Sequence, residues 1–158
     1  MNSIQTKRVL RKKKKILALV NHIYSIDETI IKFSGNRNNL MFQKIQLAFE
    51  DALSSSTKLN KEILGMNGLS GRKFRILLNS LINKIKNPKY LEIGSWQGST
   101  LCSACYKNLV EVTCIDNWSE NFSLNIQPKK EFKKNIRKFV STNTKLKIIE
   151  KDFKKVDF

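Results

Sequence analysis

The sequence predicts an α/β protein built on a parallel sheet, and three observations point to that class. From Tyr90 onward, short apolar segments alternate with helical ones in the order strand, helix, strand, helix, strand. A glycine-bearing turn, Gly94 to Gly98, joins the first strand to the helix that follows. Asp116 closes the second strand 22 residues after Gly94, about the distance that strand, helix and strand require.

Each element follows from local pattern. Ile16, Leu19, Val20, Ile23, Ile30 and Phe33 recur at helical spacing, so about 15 to 33 reads as one or two helices. Ser34 to Asn39, with Gly35, is a turn cluster. Met41, Ile45, Ala48, Phe49 and Ala52 mark an amphipathic helix that ends near Ser54 to Thr57. Gly65, Gly68 and Gly71 then fall at three-residue intervals, and Ser70 is the expected N-cap of the next helix. That helix carries Phe74, Leu77, Leu78, Leu81 and Ile85 and stops at Asn87 and Pro88. Tyr90 to Ile93, Val110 to Ile115 and Leu146 to Ile149 read as strands. Between them, Ser99 or Thr100 caps a helix with Leu101, Ala104 and Cys105 inward, and Phe132, Ile136, Phe139 and Val140 mark another. Residues 1–60 thus form a basic arm with amphipathic helices, and 61–158 a parallel-sheet region.

Bulk composition narrows the function classes. The 158 residues suit about one domain, and a hydrophobic fraction of 41% is enough for a core. The formal charge is +17, and seven basic residues lie between Lys7 and Lys15, ahead of the first acid, Asp27. Such a block is a solvated arm or a contact for nucleic acid or an anionic membrane. Lysine-, asparagine- and isoleucine-rich usage also follows from an AT-rich genome. The apolar run Ile16 to Val20 is too short to span a membrane or serve as a signal peptide, so a cytoplasmic protein is expected. Three cysteines argue against a disulfide framework. Cys102 and Cys105 form a C-x-x-C, but a structural zinc needs four ligands and only Cys114 and His22 remain, so no metal site is expected.

The turn discriminates between nucleotide cofactors. A dinucleotide turn is G-x-G-x-x-G, whose middle glycine admits the pyrophosphate. Here the turn reads Gly94-Ser95-Trp96-Gln97-Gly98, with Trp96 where the middle glycine would stand. Glu92, two residues before Gly94, would repel a pyrophosphate and attract an ammonium. An acid at the end of the second strand suits ribose hydroxyls. These features fit a cofactor with an amino-acid end and no phosphate.

On these residues, Tyr90 to Thr100 and Cys114 to Trp118, the sequence resembles the class I S-adenosylmethionine-dependent methyltransferases, in the variant whose turn reads E-I-G-x-x-x-G-x-T. The resemblance spans about residues 65–158 and implies a Rossmann-like fold with S-adenosyl-L-methionine as cofactor. It implies that Glu92 and the backbone from Gly94 through Ser95, Trp96 and Gly98 hold the methionine end. It implies that Asp116 binds the ribose, that Asn117 or Trp118 flanks the adenine, and that Asp152 contacts it from the third strand. The Gly65 to Gly71 segment would fold over the cofactor edge or serve as a plain helix-entry loop.

The family sheet has seven strands, and three are visible here. The chain is therefore expected to be a truncated first half, to be completed by a second chain, or to be a degenerate product. The acceptor-handling residues of the family follow the fourth strand, so no catalytic residue is assigned. The expected activity is O- or N-methyl transfer to a small-molecule or glycan-like acceptor. A basic nucleic-acid-binding module, or an RNA methyltransferase fragment, is the alternative; a nicotinamide-dependent oxidoreductase is disfavoured by the missing G-x-G.

Overall fold

The computed structural model describes residues 31–120 and 127–157. The basic arm and the helix expected over about 15–33 lie outside these residues, apart from 31–33, which are not helical. From Gly35 onward the described residues form one unit.

Helix α1 (Leu40–Leu53) starts at Asn39, whose side-chain oxygen accepts from the amides of Met41 and Phe42. A short helix, α2 (Lys61–Leu64), follows, with Asn60 accepting from the Ile63 amide. It is too brief to leave a periodic signature in the sequence. Helix α3 (Arg72–Lys84) starts after Gly71 with no side-chain cap. Ser70, the expected cap, stands one residue too early, and its hydroxyl instead accepts from Arg75 Nε at 2.9 Å.

Strand β1 (Lys89–Ile93) leads through the glycine turn into α4 (Ser99–Cys105), then β2 (Glu111–Ile115), α5 (Pro128–Phe139) and β3 (Lys145–Ile149). Gly98 caps α4 at φ 81°, so Ser99 and Thr100 sit inside its first turn rather than ahead of it. Pro128 occupies the first turn of α5, where a missing N–H costs nothing. A 3-10 turn, Phe153–Lys155, ends the described chain.

The sheet is parallel, in the order β1-β2-β3, with Tyr90 opposite Val112 and Val112 opposite Leu146. This is the expected α/β, Rossmann-like arrangement. Side chains alternate across a strand, so Tyr90, Val112, Cys114 and Leu146 share one face. That face packs on Ile82, Leu101, Ala104, Cys105 and Phe132 from α3, α4 and α5. A second cluster, Ala52, Leu59, Ile63 and Ile76, fills the space among α1, α2 and α3. Buried Asn79 and Asn108 knit α3 to the end of α4. Asn79 Nδ2 donates to the carbonyls of Ser103 and Tyr106, and Asn108 Nδ2 to those of Asn79 and Ala104.

On the other face, the β1 residues are open among the described residues: Leu91 and Ile93 are 49% and 50% exposed, whereas Ile115 of β2 is buried. Parallel sheets ordinarily bury both faces.

One polar link joins α1 to α3. Asp51 accepts from Ser80 Oγ at 2.5 Å and pairs with Lys84 at 2.6 Å. The Lys84 ammonium and the Ser80 hydroxyl hold its carboxyl below the ordinary value of 3.8. A depressed carboxyl contributes stability at neutral pH, and that contribution is lost as pH falls from 3.8 through the folded value. Asp51→Asn is expected to cost about 1 kcal/mol or less at pH 7, because the pair is solvent-screened, and nothing at the acid end of that window. Urea unfolding of both proteins at the two pH values reads the difference.

Candidate functional site

The carboxyl ends of the three strands meet at one cavity, where ligands bind in sheets of this kind. Asp116, at the end of β2, is its organiser. Its Oδ2 accepts from the Trp96 amide at 2.7 Å, and its Oδ1 accepts from the Trp118 amide at 2.6 Å. One carboxylate thus ties the glycine turn to the loop after β2. Each oxygen carries about two acceptor positions, so a second hydrogen bond at each remains open to a ligand.

The turn holds an unusual backbone. Gly94 and Gly98 have φ of 82° and 81°, and Trp96 between them has φ 44°. A Cβ on Gly94 would meet nothing within 4 Å, whereas one on Gly98 would stand 3.0 Å from the Phe132 ring. Gly94 is thus required for its conformation, and Gly98 for conformation and space together. From below, Asn135 Nδ2 donates to the Gln97 carbonyl at 2.9 Å.

Of the nine residues singled out in the sequence, five line the main cavity of about 560 Å³: Gly94, Trp96, Asp116, Asn117 and Asp152. That volume falls within the range of small-molecule and cofactor pockets. Asp152 also caps the 3-10 turn, accepting from the Lys154 amide at 3.0 Å. Ser95 lines an adjoining pocket that shares Leu69, Gly94 and Trp96 with the main one.

Glu92, Gly98 and Trp118 line neither. Glu92 is buried beneath the turn, on the helix-covered face of β1. Its Oε2 accepts from the Tyr90 hydroxyl at 2.6 Å, its Oε1 meets no hydrogen-bond partner among the described residues, and burial pushes its carboxyl up while the nearby Tyr90, Thr100 and Ser95 hydroxyls oppose that shift. Trp118 turns inward: its Nε1 donates to the Trp96 carbonyl at 2.8 Å and its ring packs on Phe132 at 5.2 Å. It anchors the loop on which Asn117 faces the cavity.

Residues the pattern did not single out complete the walls. Leu69 and Ser70 come from the Gly65 to Gly71 segment, and Lys151 and Lys154 follow β3. Leu69 is 82% exposed, and no periodicity marks it. The three-residue glycine spacing was the one available signal. A Cβ on Gly68 would lie 2.1 Å from Ser99 Oγ, so this glycine permits close approach of the loop to α4.

The C-x-x-C is core. Cys102, Cys105 and Cys114 are free and buried. Desolvation pushes the Cys105 and Cys114 thiols up to about 12 and about 11, and Cys102 higher. No group of three or more metal-ligating side chains occurs among the described residues. A thiol reagent at pH 8 is expected to leave all three unmodified in the folded protein and to modify them in denaturant. Fast modification of the native protein would contradict this placement.

Among the described residues no helix is long and apolar enough to cross a membrane. No family model matches the chain, and no curated protein matches it. One similar solved structure is the crystal structure of coclaurine N-methyltransferase bound to N-methylheliamine and SAH. The match covers 80% of this chain and 43% of that one, with 15% identity and a TM-score of 0.38. The chain therefore spans less than half the length of that protein, and a likeness at this level has no bearing on activity.

Proposed function

We propose that this chain binds S-adenosyl-L-methionine at the carboxyl ends of its strands and is the cofactor-binding part of a methyltransferase. The observation that supports this most is Asp116: an acid at the end of the second strand, facing a cavity and clamping the turn, with acceptor capacity left for two ribose hydroxyls. Trp96 stands where a dinucleotide turn needs a bare backbone, and Asp116 and Asp152 together disfavour a pyrophosphate. Asn117 and Asp152 lie in reach of the nucleoside end, and the backbone of Gly94 to Trp96 in reach of the other. When bound there, the cofactor supplies an electrophilic methyl group; the residues of this chain bind and orient it. The acceptor in this reading is an oxygen or nitrogen of a small molecule or glycan-like compound. The open region around Leu91 and Ile93 is covered, in this reading, by further polypeptide of the same or a second chain.

A second reading, nucleic-acid binding, has one observation in its favour. Helix α5 places Lys130, Lys133, Lys134 and Arg137 at three- and four-residue spacing, opposite buried Phe132. Salt separates the two readings. Equilibrium dialysis with S-adenosylhomocysteine is expected to give one site whose affinity changes little between 50 and 200 mM salt. Binding of an RNA oligonucleotide through six or more phosphates would fall by about a thousandfold over that range. Salt-sensitive RNA binding with no nucleoside binding would put the second reading first.

A further inference from the structure

Helix α5 carries more positive charge than its neighbours neutralise. Six of its twelve residues are lysine or arginine, and Glu131 is its one acid. At about 100° per residue, Lys130, Lys133, Lys134 and Arg137 fall on one stripe, and all four are exposed. Lys134 pairs with Glu131 at 3.3 Å, Lys138 with Glu62 at 3.0 Å, and Lys129 with Glu150. Lys130, Lys133 and Arg137 pair with no carboxylate among the described residues. These three span about 10 Å of the helix axis.

The surroundings narrow the partner. The apolar side of α5 is already occupied: Phe132, Ile136 and Val140 pack on the cluster under the sheet, and Phe139 on the second cluster. No apolar side of this helix is left to enter a bilayer, which an interfacial helix requires. No aromatic side chain stands in the stripe to stack on a base. Cations without a stacking partner hold phosphates and read no sequence there. The helix also covers the face of the sheet opposite Leu91 and Ile93, so polypeptide over those residues would lie on the far side from the stripe. None of the four stripe residues lines the main cavity.

We propose that Lys130, Lys133, Lys134 and Arg137 form a docking surface for the phosphate backbone of a nucleic acid, bound without regard to sequence and alongside whatever the main cavity holds. A strand carries one phosphate per about 3.4 Å, so the stripe meets about three of them. Glu131 tempers the surface, because it neutralises Lys134 and repels a phosphate beside it. Nucleic-acid binding and cofactor binding are then two properties of one chain rather than alternatives. The docking surface does not depend on the cofactor reading, since the two occupy different residues.

The probe is a fluorescein-labelled RNA of mixed sequence and about 20 nucleotides, titrated with the full chain and followed by anisotropy at several salt concentrations. A variant combining Lys130→Gln, Lys133→Gln and Arg137→Gln is expected to bind about 100-fold more weakly at about 0.1 M salt. Its plot of log affinity against log salt is expected to be less steep by about 2, the share of three single-strand phosphates. Glu131→Gln is expected to tighten binding a few-fold. A second RNA of different sequence is expected to bind equally well. Two control variants carry the same change of charge elsewhere: Lys61→Gln with Lys86→Gln and Lys89→Gln, and Lys12→Gln with Lys13→Gln and Lys14→Gln in the basic arm. Both are expected to lose less than the α5 variant. Equal loss in the first control would mean that net charge alone attracts RNA, and would overturn the proposal. So would an α5 variant that binds as the wild type does, which moves the contact to the arm. A wild type that leaves RNA free yet sediments with phosphatidylserine vesicles would overturn it in favour of a membrane. Saturating S-adenosylhomocysteine is expected to leave RNA affinity unchanged; competition between them would refute the separate surface. If the nucleoside does not bind at all, the cofactor reading fails and the RNA titrations still decide this one.

Discussion

Asp116→Ala is expected to abolish measurable binding of S-adenosylhomocysteine, a loss on the order of 100-fold or more. Two effects add. The first is direct: two ribose hydroxyls lose a charged acceptor, and hydrogen bonds to charged groups are the stronger kind. The second runs through the scaffold. The Trp96 and Trp118 amides both lose the oxygen that holds them, so the turn and the loop after β2 are no longer tied together. Trp96 at φ 44° is held against its own backbone preference, and the Asp116 bond is part of what holds it. Asp116→Asn separates the two effects. Its side-chain oxygen still accepts from one amide, while its NH₂ opposes the other. It is expected to lie between wild type and alanine in affinity. Calorimetric titration of all three proteins, with thermal unfolding beside it, reads both effects.

Phe132→Ala is expected to give the largest loss of stability, about 3–5 kcal/mol. Phe132 is 1% exposed and belongs to the cluster under the sheet. It also meets the site from behind: Gly98 packs on one side of its ring and the Trp118 indole lies 5.2 Å away. Truncation would leave a cavity under both the turn and the loop. Domains of this size have only about 5–15 kcal/mol of stability in total, so the variant should unfold at much lower urea. Phe132→Leu keeps most of the volume and is expected to cost about 1–2 kcal/mol. A urea midpoint unchanged in the alanine variant would mean that the ring is not the support described.

Much of the sheet was legible in the sequence because its signals are local. Apolar runs of strand length, a glycine turn and an acid at a fixed distance locate β1, β2 and Asp116 without tertiary information, and the strand bounds differ by one residue. The helix starts were less legible. Ser70, Ser99 and Thr100 have the chemistry of caps, yet glycines take the cap positions: at α4, Gly98 stands at φ 81° against the Phe132 ring, while at α3 a Cβ on Gly71 would meet nothing within 4 Å. Short α2 left no period to find. Within the candidate site, a residue's type did not reveal which way it faces. Trp118 and Asn117 are adjacent on one loop, and only the fold shows the indole packed on Phe132 while Asn117 lines the cavity. The burial of Arg75 was invisible for the same reason: a basic residue in a basic helix looks like solvent-facing charge until the fold is known.

The most direct test of the cofactor reading is a calorimetric titration of the wild-type protein with S-adenosylhomocysteine, repeated in the presence of excess NAD. The account predicts one site per chain and an affinity that NAD leaves unchanged. NAD competing for the site, or folded protein that binds NAD and not S-adenosylhomocysteine, would contradict it.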